Sequence, residues 1–168
     1  MIVECVDQDD EALGGVALLE VVLHEVGHAV FDYLGVPIFG REEDAADQFA
    51  AYLLLQFAKS DARRLIVGVA YSYNLDASRP STKANPFADE HGLPAQRFYN
   101  ILCLAYGADS KLFADVVEKG YLPKERAEDC EGEFGQIAMA WNKLILPYVD
   151  QRRAKRVLAK RWLRFEAP

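Results

Sequence analysis

The sequence is poor in three features, each of which would identify a class of protein. It has only three cysteines in 168 residues, too few for a small domain held together by disulfides. It has no run of about 20 apolar residues such as a membrane-spanning helix needs, because Glu20 interrupts the run from Val16 to Val22. Basic residues are also in deficit. The net charge of −7 argues against general binding of nucleic acids.

The N-terminus lacks the features of a secretory signal, because acidic residues come first instead of basic ones. We therefore expect a cytoplasmic protein if the chain is taken as it stands, and an exported one if it is a mature or shortened form. Cys103 and Cys130 can pair in an oxidising compartment, which leaves Cys5 over. The sequence alone leaves both the compartment and this pairing open.

Apolar, helix-forming sequence is abundant: 51% of the residues are hydrophobic, enough for one compact domain. Apolar residues recur at helical spacing, and Gly and Pro mark the points where helices stop. We predict a mainly α-helical domain over residues 1–150 with one minimal β-strand at residues 2–6. The predicted helices span about residues 10–33, 41–58, 60–73, 94–106, 110–119 and 123–146, and residues 74–93 form the longest loop.

The C-terminal residues differ from the rest in charge. Residues 150–168 carry seven Lys or Arg against two acidic residues, a local charge of +5, whereas the remainder carries −12. We interpret residues 151–168 as a basic helical tail whose charges complement the acidic body. The alternative is an anion-binding module over residues 151–164 that binds nucleic acid or acidic lipid, with strong dependence on salt.

The feature that points most directly to chemistry is His24-Glu25-Val26-Gly27-His28, within the first predicted helix. Residues four apart lie roughly 6 Å apart on one face of an α-helix, so both imidazoles can reach one ion. This is the HExxH pattern of zinc sites. We therefore predict that His24 and His28 are two zinc ligands.

A third ligand is expected from the start of the second predicted helix. The segment of residues 35–40 is short enough to fold that helix back antiparallel against the first. Glu43 and Asp47 are four residues apart and share one face of it. We predict Glu43 as the third ligand and Asp47 as the acceptor for the ring N–H of a ligand histidine, His24.

Other polar residues receive different interpretations. Glu25 lies about 100° around the helix from His24, so we predict that it is the general base of a hydrolytic reaction. Its apolar neighbours predict a helix that is buried nearly all round, where an unpaired carboxylate is costly. His91, in the longest loop, is predicted to donate to an oxyanion, and a solvent-exposed loop histidine is the alternative. Glu42 and Asp44 are interpreted as surface charges favoured by the helix dipole.

Four segments carry a further signal: residues 24–29, 36–37, 40–48 and 96–100. Together they resemble a family of bacterial metallopeptidases of unknown function with an HExGHA signature, over about residues 2–150. Residues 43–51 are also similar to the glutamate helix of the gluzincin peptidases.

The resemblance implies a zincin-like fold with zinc on the two motif histidines and Glu43, and with Glu25 as general base. It also implies cysteines like Cys103 and Cys130 and an exported location.

From these features we expect a gluzincin-like zinc metallopeptidase that acts on a peptide or protein substrate, with no nucleic acid as partner. The alternative is a non-catalytic, metal-containing binding or regulatory protein. It is motivated by the 23 residues before His24, where zincin peptidases carry a β-sheet that aligns an extended substrate. Cleavage of an unstructured protein by the zinc-loaded chain distinguishes the two.

Overall fold

The computed structural model describes residues 10–160, and this part of the chain forms eight α-helices, two short 3-10 helices and no β-strand. The α-helices are α1 (Asp10–Leu34), α2 (Glu42–Leu54), α3 (Lys59–Ala77), α4 (Pro94–Ala108), α5 (Ala114–Glu118), α6 (Lys124–Ala127), α7 (Cys130–Leu144) and α8 (Gln151–Leu158). The prediction of a mainly α-helical domain is therefore confirmed. The strand predicted at residues 2–6 lies outside the described residues.

The extents predicted for two helices in the second half of the chain are wrong. The helix predicted over residues 110–119 is reduced to α5, because the Asp109 side chain accepts the backbone N–H of Leu112 (3.0 Å) and holds the preceding residues in a turn. The helix predicted over residues 123–146 is divided into α6 and α7. The second of these starts at Cys130, which is bonded to Cys103 of α4.

The connection between α1 and α2 makes the two helices antiparallel neighbours. Gly35 follows the last residue of α1 with φ +60°, in the left-handed region that favours glycine. The N–H of Val36 donates to the carbonyl of Phe31 (2.9 Å), and the N–H of Gly35 donates to that of Asp32 (3.2 Å). This is the Schellman arrangement, which ends the helix and turns the chain back within a few residues.

The two helices approach closely at Gly27. A Cβ atom at this position would lie 3.2 Å from a ring carbon of Phe49 and 3.4 Å from the Cα of Ala46, both on α2. The ring of Phe49 has little freedom to move away, because it packs against Phe31 and Trp141. Because Gly27 has no side chain, α2 can lie against the turn of α1 that carries His24 and His28. This contact brings the start of α2 next to the two histidines.

The main core lies between α3 and α4, with contributions from the neighbouring helices. Leu65, Ile66 and Val69 of α3 are fully buried with Leu102 and Cys103 of α4. The Cys103–Cys130 disulfide ties α4 to α7. Close to it, a Cβ atom at Gly107 would lie 2.1 Å from the carbonyl oxygen of Cys130, so these two helices are in backbone contact. α4 and α7 are therefore held firmly together.

The expectation that α1 is buried nearly all round is wrong. Leu18, Val21 and Val22 are 64%, 50% and 49% exposed, and Val26 is also exposed. The physical reason is that α2 and α3 pack against only one side of α1, and no other element of residues 15–160 covers this apolar face. No helix in the described part of the chain is both long enough and apolar enough to cross a bilayer.

Candidate metal centre

The three predicted ligands lie where α1 meets the first turn of α2. Nε2 of His24 is 3.1 Å from Nε2 of His28. Oε2 of Glu43 is 3.0 Å from the first of these nitrogens and 3.4 Å from the second. His24 is buried, and the other two side chains are partly buried. The structure thus brings one atom from each predicted ligand into a single small space.

These atoms fit a divalent cation. Two ring N–H groups cannot donate to each other across 3.1 Å, so at least one histidine presents a lone pair to the shared space. Ligand atoms bound tetrahedrally to zinc at about 2.0–2.2 Å are themselves about 3.3–3.6 Å apart. The separations of 3.0 and 3.1 Å would need to widen by only a few tenths of an ångström to reach that range. Two imidazoles and a carboxylate are donors that such an ion accepts. His24, His28 and Glu43 therefore have both the chemistry and the spacing to hold one metal ion.

Asp47, one turn after Glu43 on α2, lies behind His24. Nδ1–H of His24 donates to Oδ1 of Asp47 over 2.8 Å, which directs the other ring nitrogen toward Glu43 and His28. This hydrogen bond is the main cause that raises the pKa of His24 above its usual value. Burial alone would raise the pKa of Asp47, but hydrogen bonds from His24 and Arg97 outweigh it and lower that pKa.

Glu42, interpreted from the sequence as a surface charge, contacts the second motif histidine. Nδ1 of His28 lies 2.7 Å from Oε1 of Glu42, and this hydrogen bond raises the pKa of His28. The side chain of Glu42 remains about half exposed. Asp44, interpreted in the same way, forms an exposed bidentate ion pair with Arg41. The first turn of α2 therefore presents Glu42 and Glu43 to the site but not Asp44.

His91 lies at the same site, although it comes from the long segment between α3 and α4. Its Nε2 is 2.8 Å from Oε2 of Glu43, and its ring stacks on that of His24 with 5.7 Å between the centroids. Its backbone N–H donates to Asp89 (3.0 Å). The side chain is 38% exposed, so it combines contact with the candidate ligands and access to solvent.

Glu25 is exposed, in contrast to its expected apolar environment. Among the described residues its carboxylate has no hydrogen-bond or ion-pair partner. It belongs to the partly uncovered face of α1 and immediately follows His24. Within residues 10–160, Glu25 is therefore not held by any competing contact.

A buried polar network behind Asp47 was missed from the sequence. Arg97 of α4 binds both oxygens of Asp47, at 2.7 and 2.5 Å. The hydroxyl of Tyr73 on α3 donates to Glu20 of α1 (2.6 Å), and burial raises the pKa of Glu20. One signal was available: Glu20 precedes His24 by four residues and therefore lies on the same face of α1. Nothing in the sequence linked Tyr73 or Arg97 to that face.

Comparison with models of protein families gives a match. The family model described as "Putative metallopeptidase" matches residues 4–145, which include every residue of the candidate metal centre. No curated protein matches the chain, and no solved structure does so either. The zincin-like type of fold therefore has no support from a structural neighbour. The family match covers most of the chain, and the chain belongs to this family.

Proposed function

We propose that the protein is a zinc-dependent peptidase of gluzincin type, with His24, His28 and Glu43 as the metal ligands. The observation that carries the proposal is the convergence of two imidazole nitrogens and one carboxylate oxygen within 3.4 Å of one another. Zinc fits this donor set better than calcium or magnesium, which prefer sites made of oxygen ligands. Membership of a metallopeptidase family supports the same assignment.

When bound, zinc supplies Lewis acidity, which lowers the pKa of a bound water and polarises the carbonyl to be attacked. Glu25 accepts the proton of the attacking water and passes it to the amine nitrogen that leaves. Its exposure, and its lack of a competing partner among residues 10–160, support this role. Asp47 holds the ring of His24 in the tautomer that leaves Nε2 for the metal.

His91 is proposed to donate a hydrogen bond to the substrate carbonyl oxygen as that atom gains negative charge. Support comes from its position, with Nε2 2.8 Å from Glu43 and one side of the ring accessible to solvent. A peptide in an unstructured protein is the proposed substrate, and no nucleic acid is expected as partner.

The disulfide suggests where the protein works. Buried disulfides form and persist in oxidising compartments, so the Cys103–Cys130 bond supports an exported rather than a cytoplasmic protein. We propose this location. Alkylation of thiols in freshly lysed cells, followed by mass measurement, tests it: modification of both residues would contradict export.

The test of the proposed chemistry is Glu25→Gln, which preserves shape and removes the base. We expect the variant to retain one equivalent of zinc by elemental analysis and to lose at least ~100-fold in cleavage of a labelled unfolded protein. Glu131→Gln, at an exposed position on α7, is the matched control and should cleave as the parent does. Full activity of Glu25→Gln would exclude the mechanism.

A non-catalytic metal protein is the second candidate, and the position of His91 favours it. A fourth protein ligand would close the coordination sphere, as is usual for structural zinc. His91 already contacts Glu43 and lies over His24. In that case the parent would hold zinc in stoichiometric amount and would cleave no unfolded protein, and His91→Ala would weaken metal binding.

A further inference from the structure

We propose that Arg97 is a positioning residue for the metal centre, which acts on His24 through Asp47. The proposal rests on the metal site of the proposed function, but not on peptidase activity. Arg97 lies on α4, outside the helix pair that supplies the ligands, and it does not contact the three ligand atoms themselves. Its effect on the metal must therefore pass through the residues that it holds.

The contact between Arg97 and Asp47 is bidentate. Nε donates to Oδ2 over 2.7 Å and Nη2 donates to Oδ1 over 2.5 Å, so both carboxylate oxygens are taken by one planar group. Such a fork fixes the plane of the carboxylate as well as its distance. Oδ1 also accepts Nδ1–H of His24. The direction of the His24 ring is thus set by a carboxylate whose own orientation is set by Arg97.

The guanidinium is itself held in place by two other helices. It lies over the ring of Tyr73 on α3, with 4.3 Å from its carbon to the ring centroid. Nη2 is also 3.6 Å from Oε1 of Glu20 on α1, the oxygen to which the hydroxyl of Tyr73 donates. The side chain of Arg97 is 19% exposed. These contacts leave it little freedom to follow a movement of Asp47.

The same contacts allow a simpler role, in which Arg97 only neutralises two buried carboxylates. The two roles differ in what they require of the side chain. Neutralisation needs one positive charge, whereas positioning needs the planar fork that lysine lacks. Arg97→Lys therefore separates them, because it keeps the charge and removes the bidentate contact.

The experiment measures zinc affinity by competition with a chelator, with Arg63→Lys as the matched control. Arg63 of α3 also pairs with a carboxylate on a neighbouring element, Asp115, at 2.7 Å. If Arg97 positions the site, Arg97→Lys loses ~10–100-fold in zinc affinity, as residues that orient metal ligands usually do. The Co2+-substituted variant should also show an altered visible spectrum, because that spectrum depends on coordination geometry. Arg63→Lys should change neither.

A double-mutant cycle tests whether the effect passes through Asp47. If it does, Arg97→Lys combined with Asp47→Asn should lose no more zinc affinity than Asp47→Asn alone. If loss of the bidentate contact unfolds the protein, the cycle is repeated with Arg97→Gln in a Glu20→Gln background. The second substitution avoids leaving two buried carboxylates without a positive partner. Circular dichroism verifies folding in each case.

Two results would overturn the proposal: zinc affinity of Arg97→Lys equal to that of the parent, or independent, additive losses in the cycle. Absence of cleavage by the zinc-loaded parent would instead contradict the peptidase assignment and would leave the positioning role intact. The two failures are therefore distinguishable, because one is read from metal binding and the other from hydrolysis.

Discussion

Removal of the Cys103–Cys130 disulfide should lower the stability of the protein by an amount that follows from the length of the loop it closes. The two residues are separated by 27 positions. In the chain-entropy model, closing a loop of that size removes about 12 cal/mol/K from the unfolded state, or about 3.5 kcal/mol at 25 °C. For a chain of 168 residues this corresponds to a fall in Tm of about 7–14 °C.

The assay is urea unfolding followed by circular dichroism, with the oxidised protein compared with the same protein under reducing conditions. All proteins carry Cys5→Ser, so that reduction reports on this pair alone. Cys103→Ala and Cys130→Ala should each remove the whole effect, because either one opens the loop, and the double variant should lose little more. Equal stability of oxidised and reduced protein, or single losses that simply add, would refute the reasoning.

Three further predictions concern packing, metal and pH. Gly107→Ala should lower the free energy of unfolding by about 1–3 kcal/mol or more, because its Cβ would lie 2.1 Å from the carbonyl oxygen of Cys130. The control is Gly132→Ala, whose Cβ would meet nothing within 4 Å and which should be neutral or stabilising. Equal unfolding midpoints for the two variants would contradict this prediction. Zinc at 100 times its Kd should stabilise the parent by about 2.7 kcal/mol, so thermal melts in zinc and in chelator that coincide would argue against binding to the folded state. Burial raises the pKa of Glu20, so its carboxyl favours the folded state most below the unfolded pKa near 4.5, and this contribution is lost as pH rises through the higher folded value. The stability of the parent relative to Glu20→Gln should therefore fall as pH rises from 4.5, and a difference that is constant with pH would show that Glu20 titrates normally.

The part of the site that lies on α1 and α2 could be predicted from the sequence, because it depends on helical spacing. The interval between His24 and His28 places both rings on one face of α1, and the short connection predicts that α2 returns beside it. Glu43 and Asp47 follow from the same periodicity. The structure places these four side chains at one contact.

The part of the site that comes from α3 and α4 could not be predicted in this way. Tyr73 and Arg97 reach the network only because α3 and α4 pack together and against α1, and that arrangement is set by the core as a whole. Glu42 was interpreted as a surface charge because an acidic first turn is common in helices, and only coordinates distinguish a dipole-favoured residue from one that contacts His28. Glu25 was expected among apolar neighbours because residue type does not tell which face of α1 remains uncovered.

The tight turn at Gly35 has a consequence for how the protein is made. The candidate ligands lie within twenty residues of one another, His24 to Glu43, so all three are synthesised before α3 begins. Closing so short a loop costs little entropy, so the proposed ligands do not need the rest of the chain in order to come together. Arg97 is synthesised fifty residues after Asp47, and only then can α4 hold the Asp47 carboxylate. The proposed ligands and the residue proposed to orient them therefore become available at separate stages of synthesis.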